Sequence, residues 1–520
     1  MRYTRYLLFS ILLAFTAQSC IEEPINPVGI KEIQFTSTLR INSPSLGSLY
    51  AEGTTINFEA LFKNFEIGYS DVNVEWWSDK DGLLNNEKPN ENGELLFATD
   101  QLSYNEHNIS LTITDFADTI ISDTIKVRIS IPKAIALYDI EKAYSFVLLR
   151  WEKSNIPDFV HYKVYRSKTA EQANGGELIA IIENANDTVF TDQEFVYGEP
   201  AYYKVAVSNS LDLASYSNEQ GVEAGVFIPI DGTIRKMRTD PLRNFIYAID
   251  YENDKLLFIN TETEEIEKII AVGDGPTDLD IDITGNTLYV ITMNDDRISI
   301  IDLQSQALIN SRDLPAASSI PLDNIHYNLA CGRQNRLFYV DAGFTPKLRV
   351  LDTDTWTIVD EWDEEGVGDL AVSQDGNTLY YWNQFMWAEG IPMNDDAYVK
   401  KVDCSTDELI LMQSSVIDIR RDPIDMPILL YNNESKLICK KSDFYTNNIN
   451  SLTGYFSEAI YCVSGLNNKA YSEDPIFNSN NTVIIKPMPL SSKVMALSTN
   501  ENYLYFYHSG TSRIYIYSTQ

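Results

Sequence analysis

Beyond residue 230, short apolar runs recur along the chain, each set off by Gly, Asn or Asp. The clearest copy, Pro276 to Ser305, reads PTDLDIDITGNTLYVITMNDDRISIIDLQS. It contains an apolar strand, a polar turn, a second strand centred on a tyrosine, a short loop, and an alternating strand closed by aspartate. With the second-strand tyrosine as reference, the copies fall at Tyr247, Tyr289, Tyr339, Tyr380, Leu429, Tyr471 and Tyr505, in steps of 42, 50, 41, 49, 42 and 34 residues. An asparagine stands three residues before the reference at Asn244, Asn286, Asn377, Asn468 and Asn502, where a tight turn favours a residue tolerant of left-handed geometry. The polar residue that ends the third strand lies 13 after it at Asn260, Asp302, Asp352 and Ser518, and at Ser442 if Leu429 is the reference. A period of about 40 residues per four-stranded unit predicts a seven-bladed β-propeller.

A ring must close, because an open one leaves two exposed sheet edges. The sequence ends two residues after Ser518, before a fourth strand for blade seven. Val226 to Ile230 is strand-like and precedes blade one, so it is expected to supply the outermost strand of blade seven. The phrases VGDGPTDLDID and DGNTLYY resemble the YVTN-type propeller repeat, whose family has diverse functions.

The pattern before residue 225 is different. From Ile33 to Ile131, β-rich runs (Ile56 to Phe62, Val72 to Trp77, Glu94 to Ala98, Ile109 to Thr114, Thr124 to Ile131) alternate with Gly, Asn and Asp turns, as in a sandwich. VNVEWWSDKDGLL and NGELLFATDQLSYNEHNISLTITD resemble PKD-like and bacterial immunoglobulin-like domains. In that resemblance Trp76 or Trp77 is the core tryptophan. Asp79 and Asp81 serve the following turn or, in the rival reading, hold calcium. Residues 132–224 resemble a fibronectin type III domain, through Phe146 to Trp151, Tyr162 to Arg166, Ala201 to Val207 and Tyr216 to Glu219. Such modules imply spacers.

The first residues, MRYTRYLLFSILLAFTAQSC, carry two arginines, an apolar run too short to span a membrane, and a cysteine. Ala17-Gln18-Ser19-Cys20 resembles the lipobox of bacterial lipoproteins, which implies removal of residues 1–19 and a lipid on Cys20. Glu22 and Glu23 resemble acidic tags that direct lipoproteins to the cell surface rather than to the periplasmic face. The implied address is the outer membrane.

Composition narrows the partners. With 40 Lys and Arg against 75 Asp and Glu, the net charge is −35, which opposes the phosphate neutralisation that nucleic-acid binding needs. Four histidines (His107, His161, His326, His508) stand far apart. Cys331, Cys404, Cys439 and Cys462 form no CxxC pair or zinc pattern and read as buried free thiols. There is no G-x-S-x-G, H-E-x-x-H, P-loop or dinucleotide fingerprint, and no cofactor is expected.

The repeat also exposes an irregular blade. In blade four the distance from Tyr380 to Asp403 is 23 rather than 13, and the insertion brings Trp382, Phe385, Met386 and Trp387. Exposed aromatic faces on a scaffolded loop can cover a sugar or clamp a peptide, so these four are the ligand-binding candidates; packing against neighbouring blades is the alternative. Asp254, Asp295, Asp296, Asp395 and Asp396 fall in equivalent loops as weak cation candidates, with turn chemistry explaining them equally well.

The sequence therefore predicts an all-β chain of two β-sandwich domains followed by a seven-bladed β-propeller. Residues 1–19 are the signal peptide, 20–32 a lipidated linker, 33–131 and 132–224 the sandwiches, and 225–520 the propeller. The expected role is a lipid-anchored, non-catalytic module that binds an extracellular glycan or protein, or docks on an outer-membrane complex. The alternative is a lyase, glycosidase or lactonase acting on a polysaccharide or lactone.

Overall fold

Alternating apolar residues between Thr38 and Ile131 build two facing sheets. A computed structural model of the chain describes residues 37–64, 68–116, 120–223, 225–317, 326–333, 335–341, 347–363, 367–384, 397–417 and 427–520. The fold is all-β. It divides into two compact units at Ile131/Pro132.

In the first unit, Thr38–Ser43, Ile56–Lys63 and Glu94–Thr99 form one sheet. Ser48–Ala51, Ile120–Ile131, Glu106–Thr114, Asn73–Ser78 and Gly82–Asn85 form the other. The inward residues of both sheets pack around Trp76, whose ring meets Phe58 edge-on at 5.6 Å. Trp76 is thus the core tryptophan, whereas Trp77 is half exposed. Asp79 accepts the backbone N–H of Asn108 (2.8 Å), and this bond holds its carboxyl below the usual range. Asp81 accepts the N–H and hydroxyl of Ser103 at 2.9 and 2.7 Å. Both aspartates serve as loop ties.

The second unit starts with another sandwich. Glu177–Ile182, Phe159–Ser167, Ala201–Asn209, Ala214–Tyr216 and Gln220–Val222 make its larger sheet, and Val147–Arg150 pairs with Val189–Asp192 in the smaller. Trp151 and Tyr162 meet edge-on in the core. The Tyr203 hydroxyl donates to Asp192 (2.9 Å), a carboxylate that also receives Arg166.

Among the described residues, seven four-stranded antiparallel sheets follow, the blades of a propeller: 234–271, 276–313, 328–363, 367–417, 428–455, 460–487, and 494–518 with a strand from upstream. That strand is Val226–Pro229, which pairs with Arg513–Ser518 through Val226↔Ile516, Phe227↔Tyr515 and Ile228↔Ile514. The ring closes as expected, with the first and last strands of the propeller segment sharing blade seven. Most second and third strands of each blade are buried on both faces, whereas the fourth strands are largely exposed, which explains near-continuous apolar runs such as FIYAID and LYFYH.

Two details of the repeat differ from expectation. Leu429 lies on the inner strand of blade five (Ile428–Tyr431), and the second strand is Lys436–Cys439. Ser442 accordingly opens the third strand, Ser442–Tyr445. Blade five has short strands and no tyrosine on its second strand, so the alignment slipped by one strand. The left-handed turn residue is also one position earlier than the asparagines in three blades: Gly285, Gly376 and Glu501, with Asn335 at the same place in blade three; Asn468 alone of the five asparagines is left-handed. Asn244, Asn286, Asn377, Asn468 and Asn502 instead use their backbone carbonyls, each accepting the N–H of the residue just past the third strand.

Candidate functional site

The inner strands line the propeller channel, and the repeat puts three charged side chains at one level of it. Lys236, Asp278 and Asp369 each precede their reference tyrosine by 11 residues, on the inner strands Ile234–Thr239, Pro276–Ile281 and Val367–Val372. Lys236 Nζ lies 2.5 Å from Asp278 Oδ1 and 2.8 Å from Asp369 Oδ1. The second oxygen of each carboxylate accepts a backbone N–H from the following blade: Leu329 to Asp278 and Ile428 to Asp369, both at 3.0 Å. Two residues further along, Arg238 lies 2.9 Å from Asp280 Oδ1, while Asp280 Oδ2 accepts the N–H of Cys331 (2.9 Å).

These contacts join blades one, two, three, four and five across the axis. The inner strand of each following blade presents an unpaired edge, and a carboxylate satisfies one of its donors. Burial pushes Asp278 up to about 6, even with Lys236 beside it, and Asp369 adds to the rise. Burial also opposes the charge of Lys236, but Asp278 and Asp369 outweigh it and hold the ammonium firmly protonated. The ammonium therefore occupies the point where the two carboxylates converge.

The loop candidates fare differently. Trp382 belongs to the second strand of blade four, Thr378–Gln384, and is fully buried. Its indole packs on Gly368, where an added Cβ would lie 2.1 Å from the ring. Trp382 is therefore a core residue and presents no face to solvent, because the strand extends further than the repeat length suggested. Phe385, Met386, Trp387, Asp395 and Asp396 lie outside the described residues. They fall between strands that pair up to Gln384↔Ala397. In blades one and two the same connection is a tight turn.

Asp254 and Asp296 are the left-handed residues of those turns, each seven after its reference tyrosine. Asp254 accepts the N–H of Gly275 (2.9 Å), Asp296 the hydroxyl of Tyr327 (2.5 Å), and Asp295 the hydroxyl of Thr292 (2.5 Å). Their oxygens serve turn and interblade bonding. Among the described residues no group of three His, Cys, Asp or Glu side chains is placed to hold a metal ion. All four described cysteines are free and buried; burial raises Cys404 and Cys462 to about 12 and lifts Cys331 and Cys439 likewise, which disfavours thiolates.

A joint between the second sandwich and blade seven escaped the sequence reading. Tyr197 is buried against Tyr515 and Tyr517, at 5.6 and 5.7 Å between ring centres. Its hydroxyl reaches the carbonyls of Val226 (3.0 Å) and Ile516 and the N–H of Val226 (3.3 Å), the two residues paired across the closing strands. Lys142 and the Tyr144 hydroxyl both bond Glu264 of blade one, and the Tyr144 ring lies 4.9 Å from that of Tyr503. An open cleft of about 360 Å³ beside this joint is lined by Lys142, Gly221, Glu223, Gly225, Phe227 and Glu264. Its lysine is already paired with Glu264. Among the described residues no helix is long and apolar enough to cross a membrane.

No protein-family model matches the chain, and no curated protein matches it. Solved structures do. Hydrazine synthase of Kuenenia stuttgartiensis is 12% identical, with a TM-score of 0.36 over 61% of this chain and 92% of that one. A functionally unknown protein from Desulfotomaculum acetoxidans is 12% identical, with a TM-score of 0.35 over 61% of this chain and 89% of the other. A pectate lyase from Pectobacterium carotovorum is 24% identical, with a TM-score of 0.16 over 17% of this chain, and the match spans only 27% of that enzyme. The activities in those names belong to those proteins.

Proposed function

We propose that the chain is a lipoprotein attached through Cys20 to the outer membrane, exposed at the cell surface, whose propeller is a non-catalytic binding or scaffolding module for an extracellular glycan or protein, or for an outer-membrane complex. In this reading residues 33–131 are a PKD- or immunoglobulin-like spacer, 132–224 a fibronectin type III spacer, and 225–520 the binding ring. The observation that carries the non-catalytic part is the channel: its converging carboxylates, Asp278 and Asp369, are spent on Lys236 and on backbone N–H groups of neighbouring blades. A general acid or base must reach the proton it transfers, and these groups are committed to holding the ring. The joint at Tyr197 favours the spacer role, since it fixes the second sandwich to the closing seam.

Two experiments test the reading. Labelled palmitate should enter the protein made in cells and be lost with Cys20→Ala; unchanged labelling would refute the attachment. A glycan and protein array probed with the fragment from Ile33 onward should yield a ligand, and Trp387→Ala should weaken its capture if the blade-four insertion is the contact. An array that stays blank while the fragment converts a polysaccharide or lactone would favour the enzyme.

A further inference from the structure

The reference tyrosines of the second strands spend their hydroxyls on carbonyls or carboxylates. Tyr247 donates to Asp240 (2.6 Å), Tyr339 to the carbonyl of Ala316 (2.9 Å) and Tyr380 to that of Thr446 (2.8 Å). Tyr471 of blade six departs from this. It is fully buried, and its hydroxyl has no hydrogen-bond partner among the described residues. A buried hydroxyl left in that condition is costly.

The strand register puts two lysines beside it. Tyr471 faces Ile476 on the third strand, Pro475–Asn478, and Ile476 faces Lys486 on the outer strand, Ile484–Pro487. Lys469 lies two residues before Tyr471 on the second strand, Lys469–Ser472. All three therefore share one face of the blade, the face turned to blade seven. There Lys486 Nζ donates to the Tyr517 hydroxyl (2.5 Å), and Lys469 Nζ donates to the carbonyl of Thr519. Neither lysine is ion-paired among the described residues. Blade five shows what is missing: its equivalent lysine, Lys436, is neutralised by Asp443 (2.9 Å), and Ile476 occupies the place of Asp443 in blade six. Burial and the neighbouring Lys486 both lower the pKa of Lys469. Glu501, the carboxylate that acts on Tyr471, is engaged by the Ser464 hydroxyl (2.6 Å) and the Leu466 N–H (2.9 Å). The net charge of −35 is also unevenly spread. Residues 427–520 carry 7 Lys and Arg against 6 Asp and Glu, so blades five to seven are where an anion meets little repulsion.

We propose that Lys469, Lys486 and the Tyr471 hydroxyl form a site for a phosphate group at the seam between blades six and seven. Two ammonium groups and a buried hydroxyl offer donors that the oxygens of a phosphate accept, and lysine serves such a group as a point charge. Each ammonium spends one N–H on the protein and has others to give. The bound anion relieves the repulsion between the lysines and gives the Tyr471 hydroxyl its acceptor. The site is separate from the channel and from the blade-four insertion, and it does not depend on the chain being a lipoprotein.

Isothermal titration calorimetry of the full chain in non-ionic detergent, with inorganic phosphate and with glucose 6-phosphate at constant ionic strength, tests this. The wild type should bind at least one of them saturably, at a single site per chain. Tighter binding of the ester assigns the site to a phosphorylated sugar, and tighter binding of the free ion assigns it to phosphate itself. Lys469→Met with Lys486→Met should weaken binding about tenfold or more, and Tyr471→Phe about fivefold. Lys268→Met, at an exposed position on the outer strand of blade one, should bind as the wild type does. Melting curves of each variant separate lost binding from a lost fold; should the double variant fail to fold, Lys486→Met alone carries the test. Binding of neither probe, undiminished binding by the lysine variants or by Tyr471→Phe, or an equal loss in Lys268→Met would overturn the proposal.

Discussion

Replacing Lys236 with methionine removes the charge at the centre of the channel while keeping much of the side-chain volume. Two carboxylates then face one another, one of them, Asp278, fully buried. Breaking a buried ion pair by deleting one partner costs about 3–5 kcal/mol. For a ring of this size that corresponds to about 5–10 °C in melting temperature. The pH dependence follows from Asp278. Its pKa in the fold is about 6, above the ordinary 3.8, so the stability it contributes is present below about pH 4 and lost as pH rises through 6. Without Lys236 the carboxyl holds its proton more strongly still. The deficit of Lys236→Met should therefore be larger at pH 8 than at pH 5, by about 1–2 kcal/mol. Adding Asp278→Asn should restore part of the loss at pH 8 and flatten the dependence between pH 4 and 6. Differential scanning calorimetry of the single and double variants at both pH values reads all of this. A Lys236→Met melt within about 1 °C of the wild type, or a deficit independent of pH, would refute the view that these charges hold the blades together.

Three further outcomes follow from the packing. Tyr197→Phe should lower stability by about 1–3 kcal/mol, because it strips the hydroxyl from the closing seam, and urea unfolding should show it; deleting residues 226–230 should lower the propeller's melt far more. Trp382→Ala should destabilise by about 3–5 kcal/mol, as a core truncation does, and a normal melt would contradict its burial over Gly368. The thiols Cys331, Cys404, Cys439 and Cys462 should resist maleimide in the native protein and react in denaturant, as mass spectrometry would show.

Much of the ring was legible because a propeller repeats its chemistry with its geometry. Tyr247, Tyr289, Tyr339, Tyr380, Tyr471 and Tyr505 all lie on second strands, and Asn260, Asp302, Asp352 and Ser518 all end third strands. The closing strand was legible too, since a ring with a missing edge must borrow one. Blade five was not, because Ile438 stands where other blades have tyrosine, and the next apolar match, Leu429, sits one strand earlier.

The site was harder to read. Trp382 looked like a loop residue because counting cannot tell a lengthened strand from an inserted loop. Lys236, Asp278 and Asp369 share one repeat position, and that coincidence was the available signal. The sequence does not reveal that the channel brings blades one and four within 2.8 Å. The Tyr197 contact joins residues more than three hundred positions apart, beyond any local pattern.

The central functional claim is binding without turnover. The direct measurement is mass spectrometry of a ligand captured by the propeller and recovered after prolonged incubation. The account predicts a ligand of unchanged mass, released intact. Recovery of shortened, eliminated or ring-opened product in amounts exceeding the protein would contradict it.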